Sequence, residues 1–416
     1  MVHYVCIMPS IVKLPAVRLP ADRSNDWIYR RFCALFCAGV HGQLLTNIPP
    51  PSTSYVQIYA LPVGQGDCTI IQCPSSGDII VFDCGSSGAN GILPSDVQAF
   101  LGSSIDKVRY ILVTHANQDH FNYLYQITWN TSSVMAVIIG GMASDYNNNV
   151  NMRNWLSNWN TINKLYMVNN GVSCIGSTNC LITNAKMPSS TIATNFCSNP
   201  SIPFSILATN VGSSANQKSI VMKIVQGGWS MLLSGDMEGA ASVTIAMNLG
   251  TTLQSTVYKI SHHGASAMAN KVEWLNPIKP TFAFASNGYA FRNCRHPRCI
   301  TIDRLLSLNT ITTTTPHNLY CGGTSAMTDM NNSTFQYNIL ETSPTSTLIC
   351  FLTYTSSGAL PGSHCGTSTL TADTNDGVFD DECLSTSQTG GTTLSMTAHP
   401  TLLVIMMMFS FIIIIL

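Results

Sequence analysis

From Tyr55 the chain alternates apolar and polar positions (YVQIYAL), breaks at Gly64-Gln65-Gly66-Asp67, and resumes as CTIIQC. A Ser-Ser-Gly-Asp turn then leads into DIIVFDCG, so the alternation and the turn residues predict three adjacent strands. A helix is predicted over Pro94–Leu101, followed by the apolar run VRYILVTH, which reads as a buried strand. The same apolar runs recur in MAVIIGG, SIVMKIV, WSMLLSGD, STVYKISHHG and TFAFAS, with helices near 240–248 and near Lys271. Strands that end in Gly-, His- or Asp-bearing loops and alternate with helices describe a layered α/β protein with its functional groups on loops at strand ends. No repeat of fixed period is present.

Length and composition narrow the picture. The 416 residues suffice for a sizeable core. Only 9% are charged while 45% are hydrophobic, and Ser, Thr and Asn dominate the polar remainder, a balance suited to a secreted or surface protein. With 19 basic and 20 acidic residues the net charge is -1, so long nucleic acid is not a favoured partner. Setting Cys6, Cys33 and Cys37 aside in a leader leaves an even set of the 15 cysteines, as disulfide pairing outside the cytosol requires. Close spacings such as Cys174/Cys180 and Cys294/Cys299 could close small loops, but spacing does not fix connectivity. No paired CxxC marks a structural zinc site. Sequons at Asn130, Asn331 and Asn332 agree with a secretory route.

The ends carry their own signals. Arg30-Arg31 before FCALFCAGV, with Gly39 and Gly42 beyond, reads as a signal peptide within a leader over 1–42. The tail TLLVIMMMFSFIIIIL follows a stretch without charge, and small residues at Thr389, Gly390 and Gly391 precede it. That order matches a removable GPI-attachment signal, with a tail anchor as the alternative. The expected layout is a leader (1–42), a catalytic-type domain (54–350), a Ser/Thr/Gly-rich stalk (351–391) restrained by Cys365 and Cys383 if these pair, and the apolar segment (392–416) that would attach the chain to a membrane.

Candidate chemistry concentrates after the strand VRYILVT. His115, Asn117, Asp119 and His120 fall within six residues, a ligand density that a borderline cation such as zinc requires. Asp236 ends MLLSGD and His262-His263 end VYKIS, so each offers a further ligand at a strand terminus. The plain alternatives are a helix N-cap for Asp236, a turn residue for Asn117, and ordinary hydrogen-bonding roles for His262 and His296.

VGQGDCTIIQ, VFDCGSSG, THANQDH, LLSGD and ISHHGA, in that order, resemble metallo-β-lactamase domains related to competence-type DNA-uptake proteins and to phosphorylcholine esterases. SNGYAFRNCRHPRCITIDRLL looks like that family's closing segment. The resemblance implies an αββα sandwich of two mixed sheets flanked by helices. It implies that Asp119, His120 and His263 bind one metal, that Asp236 is shared between two, and that His115 belongs to the other. Asp83 is similar to the residue that supports the metal loop. His262 and His296 resemble groups that contact a substrate phosphate or protonate a leaving group, and Asp119 belongs to the catalytic set with them. The Gly64–Asp67 turn reads as architectural.

Two departures matter. The family pattern has His where this chain has Asn117, and no His lies between His120 and His262. One zinc ion is therefore expected rather than two, with manganese or iron as alternatives. The expected function is hydrolysis of a small phosphoester or phosphodiester by a metal-activated water, with a catalytically impaired surface protein of the same fold as the alternative.

Overall fold

The computed structural model describes residues 47–87, 91–187, 189–192, 195–198, 202–288, 295–314, 317, 319–322, 327–329, 335–342, 348–355 and 362–367. The leader, the C-terminal apolar segment, Asn331, Asn332, Cys294 and Cys383 lie outside these residues. Among the described residues no helix is long and apolar enough to cross a membrane.

Strands β1 (Gln57–Ala60), β2 (Cys68–Gln72) and β3 (Ile79–Cys84) form an antiparallel meander. Helix α1 (Pro94–Leu101) leads to β4 (Val108–Val113), the short helical turn α2 (Gln118–Phe121), β5 (Ala136–Ile139), α3 (Val150–Thr161) and β6 (Leu165–Val168). From β3 to β6 the pairing is parallel. Short strands β7 (Cys174–Ile175), β8 (Ile182–Asn184) and β9 (Thr191–Ile192) precede β10 (Phe204–Thr209), β11 (Val221–Gln226) and β12 (Trp229–Leu233). Then come α4 (Gly239–Leu249), β13 (Val257–Lys259), α5 (Val272–Ile278), β14 (Phe282–Ala285) and α6 (Cys299–Ser307). The chain continues through β15 (Tyr320–Gly322), β16 (Met327–Asp329), β17 (Ile339–Glu341), β18 (Leu348–Thr355) and β19 (Gly362–Thr367). One sheet has the order β19-β18-β1-β2-β3-β4-β5-β6-β8-β9, and the other β17-β14-β13-β12-β11-β10-β7. Both are mixed.

Alternation along the central strands explains the layers. In β3, Ile79 and Val81 face the helices α1 and α3, while Ile80 and Phe82 face the second sheet. In β4, Ile111 and Val113 take the outer side and Tyr110 and Leu112 the inner one. The second sheet mirrors this arrangement. Met231, Leu233, Val257 and Phe284 point inward, and Leu232, Tyr258, Ala283 and Ala285 pack on α4, α5 and α6. Strands buried on both faces must read as continuous apolar runs. Two sheets with helices outside them therefore enclose three hydrophobic layers, the αββα sandwich.

Helix α3 has no counterpart among the sequence-predicted elements, although Met152, Leu156 and Trp159 hold a buried helical spacing. Asn149 caps it by accepting a bond from Met152 N at 2.9 Å. At the other end, β18 pairs with β1 from Gln57↔Thr355 to Ala60↔Leu352, and β19 pairs with β18. The sheet thus extends into the segment that composition assigns to a stalk, because the open edge of β1 supplies backbone partners that composition does not reveal. Disulfides join Cys68–Cys84, Cys73–Cys197, Cys174–Cys180 and Cys299–Cys321. The small loop at Cys174/Cys180 closes as its spacing allows. Cys299, by contrast, pairs with Cys321 and not with the nearer Cys294, tying the start of α6 to β15.

Candidate metal centre

Each candidate ligand follows the carboxyl end of a strand, the usual place for a site in an α/β sheet. After β4 the chain turns through Thr114–Asn117, and α2 sets Asp119 and His120 side by side. After β12, Gly235 takes φ +51° and turns the chain so that Asp236 enters the site. After β13, His262 and His263 both adopt left-handed backbone, φ +53° and +52°. That conformation costs about 1–2 kcal/mol per non-glycine residue. Surrounding bonds hold it: Tyr258 Oη accepts from Ser261 N at 2.9 Å, and Asn270 Nδ2 donates to the carbonyls of Ser261 and Ala265, both at 2.8 Å.

Four of these side chains converge. His120 Nε2 lies 3.0 Å from Asp236 Oδ2, and His263 Nε2 lies 3.4 Å from the same oxygen and 3.3 Å from Asp119 Oδ2. All four ligand atoms fall within 4.8 Å of one another. Ligand atoms about 2.0–2.1 Å from one tetrahedral ion are roughly 3.4 Å apart, the spacing seen here. His120 Nε2, His263 Nε2, Asp119 Oδ1 and Asp236 Oδ1 are buried without a hydrogen-bond partner. Buried polar atoms seldom stay unpaired, so a coordinated cation is the natural partner for this set.

The opposite ring nitrogens are fixed. His120 Nδ1 bonds Asp83 Oδ2 at 2.9 Å, and Asp83 in turn accepts from Thr114 N and Thr114 Oγ1 at 2.7 and 2.8 Å. His263 Nδ1 reaches the Ser286 carbonyl at 2.8 Å. Anchoring Nδ1 in this way aims Nε2 at a metal. Behind His120, Asp67 Oδ2 stands 3.5 Å from Nδ1 and is ion-paired with buried Lys259, whose Nζ is 3.6 Å from Asp236 Oδ1. Asp67, Asp83 and His120 also cluster, but Asp67 and Asp83 are engaged by Lys259 and Thr114 and act as supports.

The other candidates surround this core. His115 is fully buried, with Nε2 3.9 Å from Asp236 Oδ2 and Nδ1 beside the hydroxyls of Thr114 and Ser219 at 3.0 and 3.2 Å. His262 places Nε2 3.7 Å from Asp236 Oδ2 and Nδ1 2.9 Å from Glu238 Oε2. Asn117 turns aside and donates to Asn216 Oδ1 at 2.7 Å, and Asn216 donates to Glu238 Oε1 at 3.2 Å. His296 is buried with its ring 6.1 Å from that of His262, and its Nδ1 lies 3.2 Å from Gln65 Nε2.

Charge sets the protonation states. Burial opposes the imidazolium of His120, but Asp236 and Asp83 outweigh it and hold the group well above its ordinary value. For His263 the same contest, with Asp236 and Asp119 favouring the proton, raises it to about 9. Burial, helped by neighbouring His120, keeps His115 well below its ordinary range. Against burial, the histidines around Asp236 keep it well below the usual carboxylate range, and His263 lowers Asp119. Burial also opposes the charge on Lys259, yet Asp67 and Asp236 hold it above its ordinary value. The converging donors, two carboxylates (Asp119, Asp236) and two imidazole nitrogens (His120, His263), are of the types that suit a divalent cation.

Asp67, Lys259, Glu238, Asn216 and Ser219 carry this arrangement without a sequence signal of a ligand. Asp67 and Glu238 had only turn and helix-start contexts, and Lys259 looks like one polar position in a buried strand. A cavity of about 270 Å³ adjoins the loop Ala116–Gln118 and is lined also by Asp145, Tyr146, Asn149 and Lys218. A larger groove of about 1060 Å³, between α1 and Trp129, contains none of the candidate ligands, so size does not mark the site.

Residues 61–128 match the family model of the metallo-beta-lactamase superfamily. This segment contains Asp83, His115, Asp119 and His120, and the two mixed sheets with flanking helices have the metallo-β-lactamase architecture. Over 82 residues the chain is 35% identical to competence protein ComA of Neisseria gonorrhoeae, covering 20% of this chain and 12% of that protein. Among solved structures, a metallo hydrolase of the archaeon Ignicoccus hospitalis is similar at TM-score 0.38 and 10% identity, over 66% of this chain and 99% of that one. The short form of human tRNase Z is similar at TM-score 0.33 and 11% identity, over 56% and 93%.

Proposed function

We propose that this protein is a metal-dependent hydrolase of small phosphoesters or phosphodiesters that works outside the reducing cytosol. The convergence of Asp119, His120, Asp236 and His263, with both Nε2 atoms buried and unpaired, carries this reading. A bound zinc ion, or manganese or iron in its place, would polarise a substrate oxygen and bring a water towards ionisation at neutral pH. Asp83 and the Ser286 carbonyl keep the two imidazoles in the tautomer that presents Nε2. His296, buried and ring to ring with His262, places a polar imidazole beside the centre, which suits an anionic substrate. Four disulfides among the described residues support an oxidising compartment, in line with a leader and a membrane-attached C-terminus.

Asn117 favours a second reading, a catalytically impaired surface protein, because its amide is spent on Asn216. One experiment separates the two. The purified full chain is analysed for bound metal and assayed on bis(p-nitrophenyl) phosphate beside His120→Ala. The enzyme reading expects bound metal and turnover in the parent, with both lost in the variant. Metal without turnover would support the second reading, and equal rates in parent and variant would sink the first.

A further inference from the structure

We propose that the Cys68–Cys84 disulfide is a positioning element of the metal centre: it holds Asp67 and Asp83 together behind His120, so that tight metal binding depends on this bond. The inference rests on the metal-dependent reading above and adds a form of regulation to the same site. Each cysteine directly follows one of the two carboxylates in the chain. Asp83 Oδ2 bonds His120 Nδ1 at 2.9 Å, and Asp67 Oδ2 stands 3.5 Å from the same nitrogen. A carboxylate from β3 and one from the turn before β2 therefore meet at one imidazole, and the disulfide joins the residues next to them.

The backbone at this point needs such a tie. Pairing between β2 and β3 runs in step from Gln72↔Ile79 to Thr69↔Phe82 and then jumps to Cys68↔Cys84, which leaves Asp83 as the bulged residue. A bulge interrupts the ladder and re-aims a side chain. Asp83 also takes left-handed backbone, φ +56°, which a residue with a Cβ keeps only where its surroundings impose it. The disulfide closes the ladder just beyond the bulge. On the β2 side it fixes the end of the Gly64–Asp67 turn, where Asp67 N donates to the Asp119 carbonyl and the Asp67 carbonyl accepts from Gly85 N, both at 3.0 Å. Slack between the two cysteines would thus reach two of the four candidate ligands, His120 through its carboxylates and Asp119 through its backbone. Both cysteines are buried, so the bond is made as the chain folds. Its formation takes two protons and two electrons from the thiols and passes them to a disulfide-bearing oxidant, which becomes a dithiol. Where the thiols stay reduced, His120 and Asp119 lose this restraint and metal binding weakens.

Zinc affinity, by chelator competition, and cobalt(II) absorption are compared for the oxidised full chain, Cys68→Ala/Cys84→Ala and Cys174→Ala/Cys180→Ala. The last pair sits at β7, the edge of the second sheet, and encloses none of the candidate ligands. Both variants lose a cross-link. Only the first should bind zinc about 10–100-fold more weakly, the usual effect of removing support from a metal-bound histidine, and shift the cobalt bands. Equal affinity in the parent and Cys68→Ala/Cys84→Ala overturns the inference while leaving the hydrolase reading intact. An equal loss in both variants overturns it too, by assigning the loss to general destabilisation, and a parent that binds no zinc removes both readings. If the first variant does not fold, the zinc-loaded parent is reduced stepwise with a phosphine in sub-denaturing urea, and its cysteines are mapped by alkylation and mass spectrometry. Zinc should leave as Cys68–Cys84 opens, and zinc that stays on chains with this bond opened overturns the inference.

Discussion

At the scale of single residues, the site is a set of carboxylates and imidazoles whose charges depend on one another. Without metal, His263 holds its proton up to about 9 against an ordinary value of 6.5, and His120 is shifted in the same direction. A folded value above the unfolded one stabilises the fold fully below about 6.5, and that contribution disappears as pH rises through about 9. Asp119 and Asp236 are shifted down, so their contribution is lost only in acid and does not alter this window. The melting temperature of the metal-free chain should therefore fall between pH 6.5 and 9. Metal must displace the same protons, so its affinity should rise across this window with net proton release, measurable by calorimetry in two buffers of different ionisation enthalpy. A flat metal-free melting profile would show that the imidazolium is not held. His115, His120 and Asp119 were legible in the sequence because they crowd into six residues. Lys259 and Glu238 were not, because a single charged residue in an apolar run looks the same whether it faces solvent or a buried carboxylate.

Among the elements, the decisive contact is between the end of β3 and the α2 loop. A Cβ on Gly85 would lie 2.5 Å from Phe121 N and 2.6 Å from the Gln118 carbonyl, both backbone atoms that cannot step aside cheaply. Gly85 N also donates to the Asp67 carbonyl at 3.0 Å, and Asp67 N to the Asp119 carbonyl at 3.0 Å, so three loops are stitched together behind His120. Gly85→Ala should push α2 outward and lower metal affinity at least tenfold while far-ultraviolet circular dichroism stays unchanged. Unaltered metal binding would mean that the loop adapts at no cost. The central strands were readable because burial on both faces leaves long apolar runs. Strand β18, LICFLTYT, is itself an apolar run that a stalk beginning at 351 cuts in two, whereas β19, GSHCGT, joins the sheet through backbone bonds and its composition carries no strand signature.

For the whole molecule, the centre lies where the two sheets meet, so anything that joins them stabilises the site and the site stabilises them. The metal-free chain should melt lower than the metal-bound one, with about 2.7 kcal/mol of stabilisation at free metal roughly a hundredfold above Kd. Scanning calorimetry with and without a chelator measures it, and coincident melting curves would indicate no structural metal. The Cys73–Cys197 link spans 124 residues between β2's sheet and the loop before β10. By itself the sequence determined the layered α/β class, the αββα resemblance and the identity of the ligand types, because strand burial and ligand crowding are local properties of the chain. Only the tertiary structure decided which side chains share a centre. His120 on one sheet meets Asp236 and His263 on the other, Asn117 is drawn to Asn216, and His262 faces Asp236, since distances across two sheets follow from packing and have no counterpart in sequence spacing.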